Sequence, residues 1–265
     1  MNKETEENKP KEKSKTSIKE IFRKIIFFIS LCVFLVSGYK LFLIAKDTIQ
    51  NYNYYKEIQQ YAPERVEEND GYVHYVMSNG NFDHLKGINE GFKGWITLEN
   101  TRVNYPILQG DDNIYYLTQS LNHTKVNGGS IFLASGLQKP FEGDRNTIIH
   151  GHHMKNGSMF GTLKKYKKED FFNNNKIIYI STRDKTYEYE IFSVYIELVS
   201  SAPYKNSFAD DNEYIDYLNK LKDKSMYTND DITSFSKDDK IITLSTCSYE
   251  FKDARMLIHG RLVKR

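Results

Sequence analysis

Three kinds of side chain in this sequence could together make and break an acyl bond. Cys247, within TLSTCSYEFKDARMLIHGRL (243–262), is the only cysteine outside an apolar N-terminal stretch, and Arg255 follows it eight positions on. Three histidines, His150, His152 and His153, crowd IIHGHHMKNGSMFG (148–161). A thiol, with a free pKa of about 8.5, is a weak nucleophile until an imidazole or electropositive surroundings help it. An imidazole can carry a proton to a leaving amine or from an incoming one. A guanidinium, charged at any working pH, suits a developing oxyanion. Each residue also has a plainer reading. Cys247 can be a small apolar residue ending a strand, and Arg255 a strand arginine paired with Glu250 or Asp253. The histidines can be surface or core residues beside a turn. His150 and His152 share one face of an extended chain and could begin a metal site, but no ligand-spaced Cys, Asp or Glu completes it, so no metal or cofactor is expected.

The setting bears on the thiol. From Ile25 to Ala45 the chain reads IIFFISLCVFLVSGYKLFLIA, 21 residues whose single charge, Lys40, can snorkel near one end. At a helical rise of about 1.5 Å per residue this spans roughly 30 Å, a hydrocarbon core. The stretch is long for a secretory signal and no convincing small-residue cleavage site follows it, so a transmembrane anchor is expected. Lys19, Arg23 and Lys24 precede it, which favours a cytoplasmic N-terminus and an outward-facing bulk. Cys32 then lies in the anchor, and Cys247 has no soluble disulfide partner. An unpaired extracytoplasmic thiol is exposed to oxidation, which argues for deep burial or for use.

The elements that would position these residues are mostly strands. Of 265 residues 39% are apolar, with twenty tyrosines and sixteen phenylalanines, a composition of core and strand formers. Residues 1–24 carry eight Lys/Arg against five Asp/Glu, and 46–265 hold 28 basic and 30 acidic residues. Such a balance offers no footprint for nucleic acid. Residues 1–24 read as a cytoplasmic tail, 25–45 as the membrane helix and 46–81 as a helical stalk interrupted at Pro63. The folded domain is expected over 82–265. Strand candidates run through GWITLENTRVNYPIL, turning at Glu99–Asn100, then 129–135, 146–152, 176–182, 185–198, 240–247 and 254–264, with TRDKT as a hairpin turn. Between the last strands, 210–225 carries Tyr214, Ile215, Leu218 and Leu221 at helical spacing, with Asp210 or Asp211 as N-cap. The expected fold is mainly β, a sandwich or closed barrel with one inserted helix.

Taken in order, GWI, YPILQGDDNIYYL, GSIFL, GHHMKNGSMFG, TLSTCSYEFKDAR and IHGRL resemble the sortases, whose signature is a TLxTC strand end with an arginine after seven intervening residues. The long helix before the cysteine strand and the N-terminal helices make the resemblance strongest to class B. It implies an eight-stranded sortase-type β-barrel and a cysteine transpeptidase: Cys247 as nucleophile, His152 as general acid and base, Arg255 as the oxyanion or substrate-backbone donor. The substrate implied is an LPxTG-like or NPxTN-like sorting signal at the C-terminus of a surface protein, cleaved after threonine through a thioester. The acceptor implied is an amine of a peptidoglycan precursor, at the Gram-positive cell membrane. By the same analogy Asn113, Leu117, Ser245 and Tyr204 would contact the sorting peptide. His150 stands where a tyrosine often precedes Gly-His, and Ser248 where some members carry an acid. A sortase of another class, a Cys-His surface hydrolase without transpeptidation, and a receptor with a structural cysteine are the competing readings.

Overall fold

The structure, a computed structural model, describes residues 18–201 and 204–264. The tail expected over 1–24 lies outside the described residues as far as position 17. Two compact units divide at Lys46/Asp47. In the first, helix α1 (Ile18–Ile58) begins, and its side chains from Phe22 to Ile44 include a long run of exposed Phe, Ile, Leu and Val. It is long and apolar enough to cross a membrane.

The second unit opens with the last turns of α1, where Asn51, Tyr55 and Ile58 are buried. A 3-10 turn (Gln59–Tyr61) follows, and Ala62 is already extended because Pro63 disfavours helix at the residue before it. The segment read as stalk then contains an antiparallel hairpin, β1 (Glu64–Glu67) with β2 (Val73–Val76), turning at Gly71 with φ +82°. Helix α2 (Asn79–Ile88) comes next, although its sequence, broken by Gly80 and Gly87, reads only as turns. Ser78 caps it by accepting from the Asn81 amide (3.1 Å), and its Leu85 is fully buried in one cluster with Phe92, Trp95 and Ile58.

Eight strands close a barrel: β3 (Phe92–Thr97), β4 (Asn104–Leu108), β5 (Ile131–Leu133), β6 (Asn146–His150), β7 (Ile177–Ser181), β8 (Thr186–Leu198), β9 (Ile241–Cys247) and β10 (Ala254–Leu262). The short helix α3 (Glu169–Asn174) precedes β7 and α4 (Asp211–Asp223) precedes β9. Around the barrel the order is β10-β8-β7-β3-β4-β5-β6-β9. Each strand lies where the β-branched and aromatic runs predict one. The pairs β4–β5 and β6–β9 are parallel and the rest antiparallel. Parallel neighbours cannot be joined by a tight turn, so long connections must leave the barrel at these two junctions, and they carry most of the candidate site.

Ile96, Ile107, Leu133, Ile149, Ile180, Ile191, Leu244 and Ile258 fill the main core, all fully buried, each contributing roughly 1.5–3 kcal/mol of burial. A second apolar layer lies outside the barrel wall. There α4, capped by Asp210 accepting from the Glu213 amide (2.8 Å), buries Tyr214, Leu218 and Leu221 against Phe192, Tyr195, Ile241 and Leu257. Ile215, on the expected apolar stripe, is only half-buried. Within this layer sits a polar island. Thr243 donates its hydroxyl to Asn146 Oδ1 (2.8 Å), so it accepts from His259 Nδ1 (2.9 Å), and His259 Nε2 faces the Tyr195 hydroxyl (3.3 Å). Burial pushes His259 down to about 3, which keeps it neutral in that network.

Candidate active site

Cys247 ends β9, half-buried, and Arg255 begins β10 in direct register opposite it. Residues paired across an antiparallel ladder point to the same face, so the guanidinium and the thiol share one side of the sheet. Arg255 makes neither of the side-chain ion pairs that a structural reading would give it. Its Nη1 donates to the Ala254 carbonyl (3.2 Å), whereas Glu250 is paired with Lys167 and bonded to the Ser248 hydroxyl.

The histidine segment reaches the same place by the parallel junction. Strand β6 pairs with β9 up to His150 opposite Ser245. Two further bonds carry the alignment past the strand end: Gly151 N donates to Ser245 O (3.2 Å), and Thr246 Oγ1 donates to Gly151 O (2.8 Å). These bonds set Gly151 against Ser245 and Thr246, so His152 and Cys247 are the residues that follow directly on the junction. Gly151 has no room for a side chain, since a Cβ would lie 2.5 Å from Ile131 Cδ1 and 2.7 Å from Phe160. His152 Nε2 lies 2.8 Å from the Leu117 carbonyl. A carbonyl only accepts, so Nε2 carries the proton and Nδ1 is left to exchange one.

His153 Nδ1 donates to the Cys247 carbonyl (2.8 Å), and its ring lies against Tyr249, whose hydroxyl donates to the His153 carbonyl (3.0 Å). Two adjacent histidines thus have different tasks: His152 offers a free ring nitrogen, and His153 ties down the backbone of Cys247. The spacing of the histidines cannot separate these tasks, because the bond that does so joins residues 94 positions apart.

The remaining candidates are split. Ser245 is buried and its Oγ lies 2.8 Å from the Tyr204 hydroxyl, and Tyr204 lies near Arg255 and Cys247. His150 completes this wall, edge-on to Tyr204 at 5.4 Å and tilted against Phe132 at 5.5 Å. Burial, with Arg255 nearby, pushes His150 down to about 4, so at neutral pH it is an uncharged aromatic surface beside the guanidinium. Leu117 contributes its backbone carbonyl, while its side chain packs half-buried on the cluster around Phe92 and Trp95. Asn113 is exposed and accepts from the Ser135 amide (2.7 Å), an anchor for its own loop with no contact to Cys247. Among the described residues no group of three or more His, Cys, Asp or Glu is placed to hold a metal.

A thiol, an imidazole and a guanidinium carried by neighbouring strand ends of a barrel are the groups that acyl transfer needs. Known proteins bear on this arrangement. Residues 96–263 match the family model described as Sortase domain. The curated Sortase B of Listeria monocytogenes is 34% identical over 252 residues, 94% of this chain and 99% of its own. Among solved structures, sortase B of Bacillus anthracis in complex with AAEK1 is similar with a TM-score of 0.70 and 36% identity, over 84% of this chain and all of that one. The Staphylococcus aureus sortase B-substrate complex is similar with a TM-score of 0.65 and 31% identity, over 70% of this chain and 86% of that one.

Proposed function

The chain belongs to the sortase family as a class B member, a cysteine transpeptidase of the cell-wall sorting kind, and from that premise we propose that Cys247, His152 and Arg255 are its catalytic residues. The observations that carry the assignment are the register pairing of Arg255 with Cys247 and the two bonds that hold Gly151, next to His152, against Ser245 and Thr246, next to Cys247. In the first half-reaction His152 Nδ1 takes the proton of the Cys247 thiol, and the thiolate so formed attacks the threonine carbonyl of an LPxTG-like or NPxTN-like signal. Electrons move onto the carbonyl oxygen, and Arg255 donates hydrogen bonds to that oxyanion. Collapse of the adduct breaks the peptide C–N bond, and His152 gives its Nδ1 proton to the departing amine. A thioester remains on Cys247.

In the second half-reaction an amine of a peptidoglycan precursor attacks the thioester. His152, now neutral at Nδ1, takes the proton this amine must lose, and the Cys247 thiolate departs. Transfer to an amine in place of water follows from holding that amine at high effective concentration, not from different chemistry. Ser245, Tyr204 and Leu117 would line the side of the groove that receives the sorting peptide, with Asn113 shaping the loop above it. What supports the peptide reading is the bond between Tyr204 and Ser245, two residues before Cys247, together with the substrate bound by the S. aureus relative.

The apolar part of α1, 25–45, is read as a single-pass anchor with its N-terminus in the cytoplasm, placing 82–265 as a catalytic domain outside the cell, above the segment 46–81. The deciding experiment incubates the protein with a library of fluorogenic LPxTG-like and NPxTN-like peptides, with and without an amine acceptor. Mass spectrometry of the trapped acyl-enzyme identifies the peptide and the residue that holds it. An acyl group on Cys247 and a product that switches from acid to amide when amine is added are expected. Hydrolysis indifferent to every amine tried would count against the transfer reading.

A further inference from the structure

His152 is oriented by a backbone carbonyl, and a carbonyl orients a ring only as well as its own loop is held. The loop carrying Leu117 is clamped from an unexpected quarter, the final turns of α1. Ser130 N donates to the Tyr116 carbonyl (2.9 Å), and Ser130 Oγ donates to the Gln119 carbonyl (2.7 Å), bracketing Leu117 on both sides. Gly129 stands at φ +54°, and a Cβ there would lie 2.4 Å from the Leu117 oxygen and 2.5 Å from the Tyr116 oxygen, so only glycine permits this approach. The 129–130 segment is held in turn by Tyr55. Its hydroxyl donates to the Gly129 carbonyl (2.9 Å) and lies 3.0 Å from Ser130 Oγ.

Tyr55 itself is buried, packs edge-on against Tyr105 at 5.4 Å, and has its hydroxyl held in the neutral, donating form by that burial. One turn earlier Asn51, also buried, stands so close to Gly128 that a Cβ there would lie 2.4 Å from its Nδ2. Thus α1 meets 128–130 at two successive turns. Every link between Tyr55 and the His152 ring is a hydrogen bond or a backbone contact, with no flexible side chain between Leu117 O and the ring.

We propose that Tyr55 is a positioning residue for the transfer reaction, holding Gly129 and Ser130 against Tyr116 and Leu117 so that the Leu117 carbonyl meets His152 Nε2. This rests on His152 being the proton carrier. The segment of α1 that follows the apolar stretch is then a working part of the catalytic unit and not a passive tether.

The test uses the full chain in detergent micelles and the variant Tyr55→Phe, which keeps the ring and removes only the hydroxyl. Misplacing a catalytic group by about 1 Å can cost up to ~100-fold, so kcat for peptide transfer is expected to fall about ten- to a hundredfold with KM within about twofold. In 15N-histidine-labelled protein the His152 Nε2–H signal should move, while that of His259, in the separate network under α4, stays in place. Ser130→Ala removes the same clamp from its other side and serves if Tyr55→Phe does not fold. Combined, the two losses should fall short of their sum. Unchanged kcat overturns the proposal. So does a fall in kcat accompanied by movement of both histidine signals and a broad loss of melting temperature, which marks general loosening. A His152→Gln variant that transfers normally would instead overturn the assignment of His152, leaving the two failures distinguishable.

Discussion

Cys247 and Arg255 face each other because the β9–β10 turn holds the pair in register, and substitution tests the role proposed for each. Cys247→Ala should abolish acyl-enzyme formation in the mass spectrum while leaving the melting temperature nearly unchanged, since the residue ends a strand and fills no core position. Arg255→Lys keeps the charge but loses the planar fork, so kcat should fall by about 10²–10³, the usual loss of an oxyanion donor, in the same fluorogenic assay. Activity within a few-fold of the parent would remove Arg255 from the mechanism. These residues were legible in the sequence because their signature is local: seven residues of a tight strand-turn-strand fix the relation of thiol to guanidinium. His153 was not legible in its role. Nothing in HGHH distinguishes the ring that exchanges a proton from the ring that secures the Cys247 carbonyl.

Among the elements, α4 sits over the outer wall of the barrel on a layer whose polar centre is a neutral histidine. Unfolded, His259 and His150 would take up protons below about pH 6.5; folded, they do so only near 3 and 4. Between those limits the unfolded state binds more protons, so stability is present at neutral pH and is lost as pH falls. Urea midpoints should therefore decline steadily from about pH 6.5 toward pH 4, each proton contributing about 1.4 kcal/mol per pH unit. His259→Asn, which keeps a polar partner for Thr243, should flatten that slope most visibly between pH 6.5 and 5, before carboxylates dominate. An unchanged slope would mean that the acid sensitivity arises elsewhere. The helix itself announced its place through Asp210 and the spacing of Tyr214, Leu218 and Leu221. Helix α2 did not, because two glycines obscure a periodicity that its contact with Phe92 and Trp95 makes good. The β1–β2 hairpin was also missed, although VHYV carries three strand formers, because ERVE carries only one and the two short runs gain their stability by pairing.

At the scale of the whole molecule, the chain divides at Lys46/Asp47 within one helix, with exposed apolar residues on the N-terminal side and a closed barrel in the other unit. The full chain should sediment with membranes and enter a detergent phase, whereas a chain beginning at Asp47 should remain folded and in the aqueous phase. Phase partition followed by circular dichroism checks both. Loss of barrel structure on removing 1–46 would show that the second unit depends on the first. With the proposed topology, an impermeant thiol reagent applied to whole cells should label a cysteine introduced in place of exposed Lys155 and not one introduced in place of Lys19.

The sequence by itself determined a helix long and apolar enough to cross a membrane, the β-rich class, the position of the barrel strands, the inserted helix and the cysteine, histidine and arginine proposed as catalytic. All of these depend on composition, periodicity or short-range spacing, which a chain carries whether folded or not. Tertiary structure alone decided that the parallel β6–β9 junction would bind Gly151, next to His152, to Thr246, next to Cys247. It also decided that the Leu117 carbonyl would meet His152 Nε2, and that the Tyr55 hydroxyl would bond the Gly129 carbonyl 74 positions away. Those relations are closed by hydrogen bonds that each end on a distant backbone carbonyl, an acceptor that is the same in every residue and so leaves no mark in the order of side chains.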